Sequence, residues 1–393
     1  MGEARSVFVD EGVLDINYIP QRLLHRDGEL RLLGLMFDHI LSAPYEMSQR
    51  AIILGGVGTG KTALAQLFGR RLVEDAKRRR MKARYVHVNC RELRGSLFMV
   101  LRRAVRSLRP DFPERGYAAN ELMETLMQLL DEEDAQLLLC LDEVDALIEA
   151  EGSDALYNLT RVQEGRPEGP RRLSLLCISK TAEAFRSLDV STLSSLQRNV
   201  VTMGEYSSPQ LSDIVTSRAE VAFRGGAMPT EVVDFIAELA AAEHGDARYA
   251  IDLLWRAGKF ADNDQARQVT PEHVRRAAAG IFPAMREESI AQLSRHEQLV
   301  LLAIARSFRH STRPHATTGE AEEAYRVVCE EYGEEPRAHT QFWKYLNQLK
   351  GLAVVNIKLD ASPQGRTQLI SLGKIPAGDL ENGVMKAIEQ RKG

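Results

Sequence analysis

The sequence predicts a parallel α/β domain, then a small all-helical domain, then a C-terminal winged helix-turn-helix, and three observations carry that prediction. Between Arg50 and Gly204, short apolar runs alternate with longer amphipathic stretches, the pattern of a parallel sheet with crossover helices on both faces. From Pro209 to about Phe282 only helical signals occur. Beyond Ser294, three helical stretches precede two short alternating runs, the helix, helix, helix, hairpin order of a winged helix.

The elements follow in order. Apolar runs at 51–54, 84–89, 137–141, 173–179 and 200–203 supply five strands. The helical domain takes its helices from 210–223, 230–242 and 248–260, and from a capped start at Thr270-Pro271-Glu272, where proline suits the first helical position. The third domain opens with a capping box, Ser294-Arg295-His296-Glu297, leading into a helix over 299–308. A loop over 310–318, helices over 320–332 and 337–350, and alternating runs at 354–359 and 367–372 around the Ser362-Pro363-Gln364-Gly365 turn complete it. The predicted domains are 1–205, 206–285 and 286–393.

Bulk properties agree with this division. A chain of 393 residues exceeds one ordinary core, and 44% hydrophobic with 27% charged residues is usual for soluble globular domains. With no apolar run near the length of a membrane span and no leader-like N-terminus, the expectation is a cytoplasmic protein without a membrane partner. The four cysteines lack paired spacing and read as core thiols; the nine histidines show no transition-metal ligand pattern. A net charge of −4 argues against indiscriminate coating of nucleic acid and leaves room for a local basic face.

The strongest chemical signal is Gly55-Gly56-Val57-Gly58-Thr59-Gly60-Lys61-Thr62, which follows a strand-like run and opens a helix over 63–76. Glycines let consecutive amides curl toward phosphate oxygens, and the helix N-terminus adds partial positive charge, so Gly58, Thr59, Gly60, Lys61, Thr62 and Ala63 form the cradle. Lys61 reaches the β- and γ-phosphates, and the Thr62 hydroxyl ligates Mg²⁺. The buried run ending in Asp142-Glu143 supplies the partner acids: Asp142 to hold Mg²⁺ through water, Glu143 to polarise the attacking water. The expected cofactors are ATP or ADP with Mg²⁺, and Lys61, Asp142 and Glu143 are the expected catalytic groups.

With the helical lid, these motifs resemble the AAA+ superfamily, which implies an α/β P-loop AAA+ domain, here with a five-stranded parallel sheet with helices on both faces, and a small all-α lid, followed by the C-terminal winged helix-turn-helix that the element order gives. Residues 173–181 sit where a sensor 1 strand would, and Gly245-Asp246-Ala247-Arg248-Tyr249-Ala250-Ile251-Asp252 looks like a sensor 2 segment, which implies that Arg248 touches the γ-phosphate. Ser194-Ser195-Leu196, Tyr206, Gln210-Leu211, Ile214 and Arg218-Ala219 have the spacing of the archaeal origin-recognition initiators related to eukaryotic Orc and Cdc proteins. The stretch from Tyr18-Ile19-Pro20 to Arg26-Asp27 is similar to that family's segment beside the adenine, and residues 110–117, preceded by Arg102, Arg103, Arg106 and Arg109, occupy the place of its initiator-specific insertion. The resemblance spans about Tyr18 to Leu372 and implies that Tyr18, Ile19, Tyr206, Arg218 and Arg248 help bind nucleotide.

Two positions depart from the family pattern. Lys180 follows Ile178-Ser179 where an asparagine is usual, and a lysine cannot accept a hydrogen bond from the attacking water. Ser191 stands where an arginine finger would be, with Arg198 the nearest basic candidate. Slow hydrolysis acting as a switch is therefore expected.

In the third domain, Phe342, Tyr345, Leu346 and Leu349 would bury one helix face, leaving Thr340, Gln341, Lys344, Asn347 and Gln348 outside on what would be the recognition helix. The run from Arg337 to Lys374 is basic, and Lys358, Gln364 and Arg366 lie on the expected wing. The expected DNA contacts are Arg337, Thr340, Gln341, Lys344, Lys358, Gln364 and Arg366, with Arg109 as a second contact from the ATPase domain. The resemblance implies a nucleoid-associated protein that binds double-stranded origin DNA, initiates replication and helps recruit or load an MCM-type replicative helicase, with paralogous initiator subunits as further partners. A branch-migration motor or clamp-loader-like ATPase, and a nucleotide-regulated transcription factor, are the competing expectations.

Overall fold

The computed structural model describes residues 6–113, 116–163, 169–196, 199–279, 290–362 and 365–390. The chain divides into two compact units, Ile19–Tyr206 and Met1–Tyr18 with Ser207–Gly393.

In the first unit, strands β1 (Arg50–Gly55), β2 (Lys82–Asn89), β3 (Ala135–Asp142), β4 (Leu173–Ser179) and β5 (Val200–Met203) form one sheet in the order β2-β3-β4-β1-β5. Every pairing is parallel. β3 and β4 are buried at every position, which explains why they read as unbroken apolar runs rather than alternating ones. Alternation is still present between the two faces. Leu137, Leu139 and Leu141 join a core with helices α4 (Leu97–Leu108), α5 (Ala119–Glu133) and α6 (Asp145–Arg161), while Leu138 and Cys140 join a second core with α1 (Asp27–Met36), α2 (His39–Ser42) and α3 (Lys61–Arg78). The period of two puts Asp142 on the α3 face. A short α7 (Val190–Ser195) precedes β5. All four cysteines are buried and unbridged, as the sequence suggested.

The second unit holds α8 (Ser208–Ala222), α9 (Thr230–Ala242), α10 (Ala247–Asn263) and α11 (Pro271–Ala279). Residues 6–18 pack with these helices: Val9 N donates to Ala222 O at 2.7 Å and Arg224 N to Val7 O at 2.9 Å, around a 3₁₀ turn at Glu11–Leu14. The same unit carries α12 (Arg295–Arg309), α13 (Thr318–Glu331), α14 (His339–Gly351), strands β6 (Ala316–Thr317), β7 (Asn356–Ser362) and β8 (Gly365–Ser371), and α15 (Ala377–Gln390). The predicted capping box starts α12, with Ser294 N donating to Glu297 Oε2 at 2.7 Å. The expected boundary at 285/286 lies outside the described residues.

Two features differ from expectation. The 310–318 loop contains β6, which pairs antiparallel with β8, Ala316 opposite Ile370, to make a three-stranded wing sheet. A two-residue strand is too short to leave an alternating pattern. A further helix, α15, follows the hairpin, and its Leu380, Val384 and Ile388 close the winged-helix core against α12.

The corner beside Asp142 depends on one glycine. Gly95, at φ +67°, lies so close to α6 that a Cβ would stand 2.2 Å from the Ala146 carbonyl oxygen. Its amide donates to Cys90 O at 2.8 Å, and Cys90 N donates to Asp142 O at 2.8 Å. Gly95→Ala is therefore expected to destabilise this unit by about 3 kcal/mol, combining left-handed strain with a clash against backbone. Urea denaturation checks this; an unchanged midpoint would show that the corner yields.

Candidate functional site

Strand β1 delivers the phosphate-loop sequence at the end of a buried run. Gly55 sits against β5, where a Cβ would be 2.7 Å from Met203 O, and Gly58 and Gly60 take φ of +73° and +89°, open only to residues without a side-chain clash. Thr59 is fully buried and its hydroxyl donates to Gly56 O at 3.0 Å. Lys61 opens α3 and folds back over the loop, Nζ donating to Gly55 O at 2.7 Å and Gly56 O at 2.6 Å. The N-terminus of α3, with Thr62 and Ala63 in its first turn, follows directly on the loop.

The acids lie beside it. Thr62 Oγ1 donates to Asp142 Oδ2 at 2.7 Å, and His87 Nε2 lies 3.0 Å from the same oxygen. Asp142 is only 4% exposed. Burial alone would raise its pKa, but the hydrogen bonds from His87 and Thr62 outweigh that and hold the carboxyl below its ordinary value. Glu143, at φ +49°, occupies the left-handed region, strained for a side-chain-bearing residue. Arg91 Nε sits 2.6 Å from Glu143 Oε2 as a charge contact without hydrogen-bond alignment. A curled amide loop, a helix N-terminus, an ammonium and a hydroxyl bonded to an ionised carboxylate fit a phosphate chain with its Mg²⁺.

His87 was not singled out from sequence. Its signal was present: it shares strand parity with Tyr85, and the β2–β3 register sets it opposite Cys140, two residues before Asp142. Reading it required the strand order. Arg26, in the segment that runs from Tyr18 to Asp27, is buried, with its guanidinium 4.0 Å from the Tyr206 ring centroid. Tyr206 is itself buried, which raises its pKa, and Ile19 is half-buried.

The remaining expected nucleotide residues belong to the second unit. The Arg218 guanidinium lies 4.5 Å from the Tyr18 ring centroid, with Nη1 donating to Val13 O at 3.1 Å, and burial lowers its pKa. Arg248 is exposed in the first turn of α10 and lines, with Leu14, Ile16, Tyr18 and Trp255, a cavity of about 750 Å³. Lys180 is exposed just after β4, and Ser191 on α7 accepts a hydrogen bond from Arg161. Arg198 lies outside the described residues.

On α14, Phe342, Leu346 and Leu349 are buried, whereas Tyr345 is half-buried and stacks on His296, ring centroids 6.1 Å apart. Thr340, Lys344, Asn347 and Gln348 are exposed; Gln341 is half-buried. Arg337 donates from Nε to His296 Nε2 at 2.9 Å, and Arg109 pairs with Glu132 at 3.1 Å across a half-exposed surface. Lys358 pairs with Glu238 of α9, which His315 Nε2 also approaches at 3.0 Å. Gln364 and the Arg366 side chain lie outside the described residues. No helix among the described residues is long and apolar enough to cross a membrane.

This fold and loop define an AAA+ nucleotide-binding ATPase carrying a winged helix. Residues 48–178 match the AAA domain family, 212–279 the Cdc6 AAA+ ATPase-type lid domain and 288–381 the CDC6 C-terminal winged-helix domain. The chain is 31% identical to ORC1-type DNA replication protein 2 of Saccharolobus solfataricus over 96% of its length and 93% of that protein. It is 32% identical to the ORC1-type DNA replication protein of Pyrococcus abyssi over 95% of this chain and 89% of that one. Among solved structures it resembles Cdc6p from Pyrobaculum aerophilum, with a TM-score of 0.83 and 32% identity over 98% of this chain and 100% of that chain. It also resembles the Aeropyrum pernix ORC1 protein in complex with DNA, at TM-score 0.64 and 31% identity over 96% of this chain and 97% of that chain. The protein belongs to the ORC1/Cdc6-type replication initiator family.

The Glu238 cluster yields a pH-dependent expectation. Burial would raise its pKa, but His315 and Lys358 hold it below the ordinary value. A depressed folded pKa contributes stability that is complete above about pH 4.3, the unfolded value, and is lost as pH falls through the folded one. Glu238→Gln should cost about 1 kcal/mol at pH 7 and progressively less toward acid. Thermal melts of both proteins from pH 7 to pH 3 measure the convergence; a constant gap would refute it.

Proposed function

We propose that this chain binds double-stranded origin DNA through its winged helix, with ATP or ADP in the phosphate loop setting its conformation, and that it helps recruit or load an MCM-type replicative helicase. The DNA-bound Aeropyrum pernix ORC1 structure, matched along nearly the full length of both chains, carries this reading. The exposed row Thr340, Lys344, Asn347 and Gln348 on the third helix of the winged-helix domain supports it, because these groups suit base edges and phosphates. Arg337, Gln341, Lys358, Gln364, Arg366 and Arg109 are the further proposed contacts, Lys358 after release from Glu238. Paralogous initiators are the proposed co-assembling partners, and association with the nucleoid follows from the DNA contact.

In the nucleotide site, the amides of Gly58 to Ala63 and the Lys61 ammonium hold the phosphates, Thr62 and Asp142 hold the ion, and Glu143 orients the attacking water. When bound, Mg²⁺ neutralises phosphate charge. Tyr18, Ile19, Tyr206 and Arg218 hold the nucleoside, and Arg248 meets the terminal phosphate. Hydrolysis is slow because Lys180 offers no acceptor for water, Ser191 replaces an arginine, and Arg91 holds Glu143.

Footprinting and anisotropy on the chain's own genomic origin DNA test the reading. Lys344→Ala should weaken binding several-fold and reduce the salt slope by about one. Lys61→Ala should abolish nucleotide binding, and wild-type turnover should stay below about 1 s⁻¹. A footprint indifferent to sequence overturns the origin assignment, and turnover of tens per second overturns the switch.

A further inference from the structure

Arg26 is a charged side chain almost wholly withdrawn from water, at 5% exposure, and it lies at the phosphate loop rather than at the surface. Burying a guanidinium is costly unless its donors are used. Here they are. Nε is shared between Thr59 O at 3.2 Å and Tyr206 Oη at 2.9 Å; Nη1 donates to Glu29 Oε1 at 2.9 Å; Nη2 donates to Gly204 O at 2.6 Å. The plane of the group also lies over the Tyr206 ring, 4.0 Å from Cζ to centroid. One side chain thus joins the start of α1, the phosphate loop and the segment after β5.

The contact with Thr59 has a specific consequence. In a planar trans peptide, the carbonyl of Thr59 and the amide of Gly60 point in opposite directions, so pinning the oxygen toward Arg26 turns the Gly60 N–H away from it. Gly60 stands at φ +89°, and the Tyr206 hydroxyl is 3.1 Å from where its Cβ would be, so Tyr206 backs the same peptide. A glycine loop without such support samples many conformations, and a bound anion must then supply the ordering.

Resting on the nucleotide reading above, we propose that Arg26 is a positioning residue that presets the Thr59–Gly60 peptide for phosphate, with Tyr206 as its backing. Lysine cannot replace it: one ammonium cannot meet Thr59 O, Gly204 O and Glu29 in the planar geometry of a guanidinium.

Titration with ADP by calorimetry, for wild type, Arg26→Ala, Arg26→Lys, Tyr206→Phe and Lys61→Ala, tests this. Arg26→Ala and Arg26→Lys should each bind ADP roughly ten- to a hundredfold more weakly, and Tyr206→Phe about threefold to tenfold more weakly. Added guanidinium chloride, at low millimolar concentration, should recover part of the affinity of Arg26→Ala and none in Lys61→Ala. Rescue distinguishes a missing donor from general loosening. Wild-type affinity in Arg26→Ala, equal affinity in Arg26→Lys, or a loss that guanidinium leaves unchanged overturns the proposal. If Arg26→Ala does not fold, full affinity in both Arg26→Lys and Tyr206→Phe overturns it, and weakened affinity in both upholds it. Absence of ADP binding by the wild-type protein overturns the nucleotide reading itself, a separate result.

Discussion

The 2.7 Å hydrogen bond from Thr62 to Asp142 joins the N-terminus of one helix to the C-terminal end of a different strand, and the arrangement of the first unit serves that meeting. It requires β3 to stand one strand away from β1, with β4 between, and α3 to cross the face that carries the even-numbered side chains of β3. A slip of one residue in β3 would send Asp142 into the opposite core. The full burial of β3 and β4 makes such a slip expensive, because their apolar side chains are already matched to two packed layers. The apolar character that makes the strands recognisable in sequence therefore also fixes the polar pair at their ends.

On the proposed reading, the surroundings of this pair divide into a part that binds and a part that reacts. Thr59 and Asp142 are buried, Gly55 is packed against β5, Gly58 and Gly60 are held in the left-handed region, and His87 adds a second hydrogen bond to the carboxylate. Glu143 is different: partly exposed, in a strained backbone conformation, and in contact with Arg91. Proper geometry for water activation would require Glu143 to leave that charge contact. On the proposed reading, tight retention of nucleotide with slow chemistry follows from this division, because the binding groups are preorganised and the reacting group is not.

Much of the fold was legible because the sequence carries unambiguous periodicities. All five strands of the sheet, the capping box at Ser294 and the helix order of the C-terminal domain fell where apolar runs and capping residues placed them. Strand order was not legible, since period-two patterning reveals faces and not neighbours; His87 escaped notice for that reason. The two-residue β6 was too short to register, and the amides that open α15, Ala377 N and Gly378 N, donate to the distant Glu272 of α11 rather than to a local cap. The association of residues 6–18 with the helical unit was also hidden, because its contacts, from Val9 N to Ala222 O and Phe8 against Phe223 to Glu11 with Lys259, join segments far apart in sequence that no local periodicity connects.

The basic residues of the winged helix illustrate a further limit on reading charge from sequence. Counted along the chain, Arg337, Lys344, Lys350, Lys358 and Lys374 form one positive stretch. In three dimensions, Arg337 is hydrogen-bonded to His296, Lys358 is paired with Glu238 and Lys374 with Glu243. Lys344 and Lys350, both exposed on α14, make no such contact among the described residues. A phosphate backbone arriving at this domain would meet those two lysines without competition, but would have to displace Glu238 to recruit Lys358. On the proposed DNA contact, the two classes would differ in energetic role: the exposed pair would supply attraction from first encounter, whereas Lys358 would exchange one anionic partner for another and add little net affinity. Its exchange would instead loosen the tie between the wing and α9, making the position of the wing sensitive to whether DNA is bound.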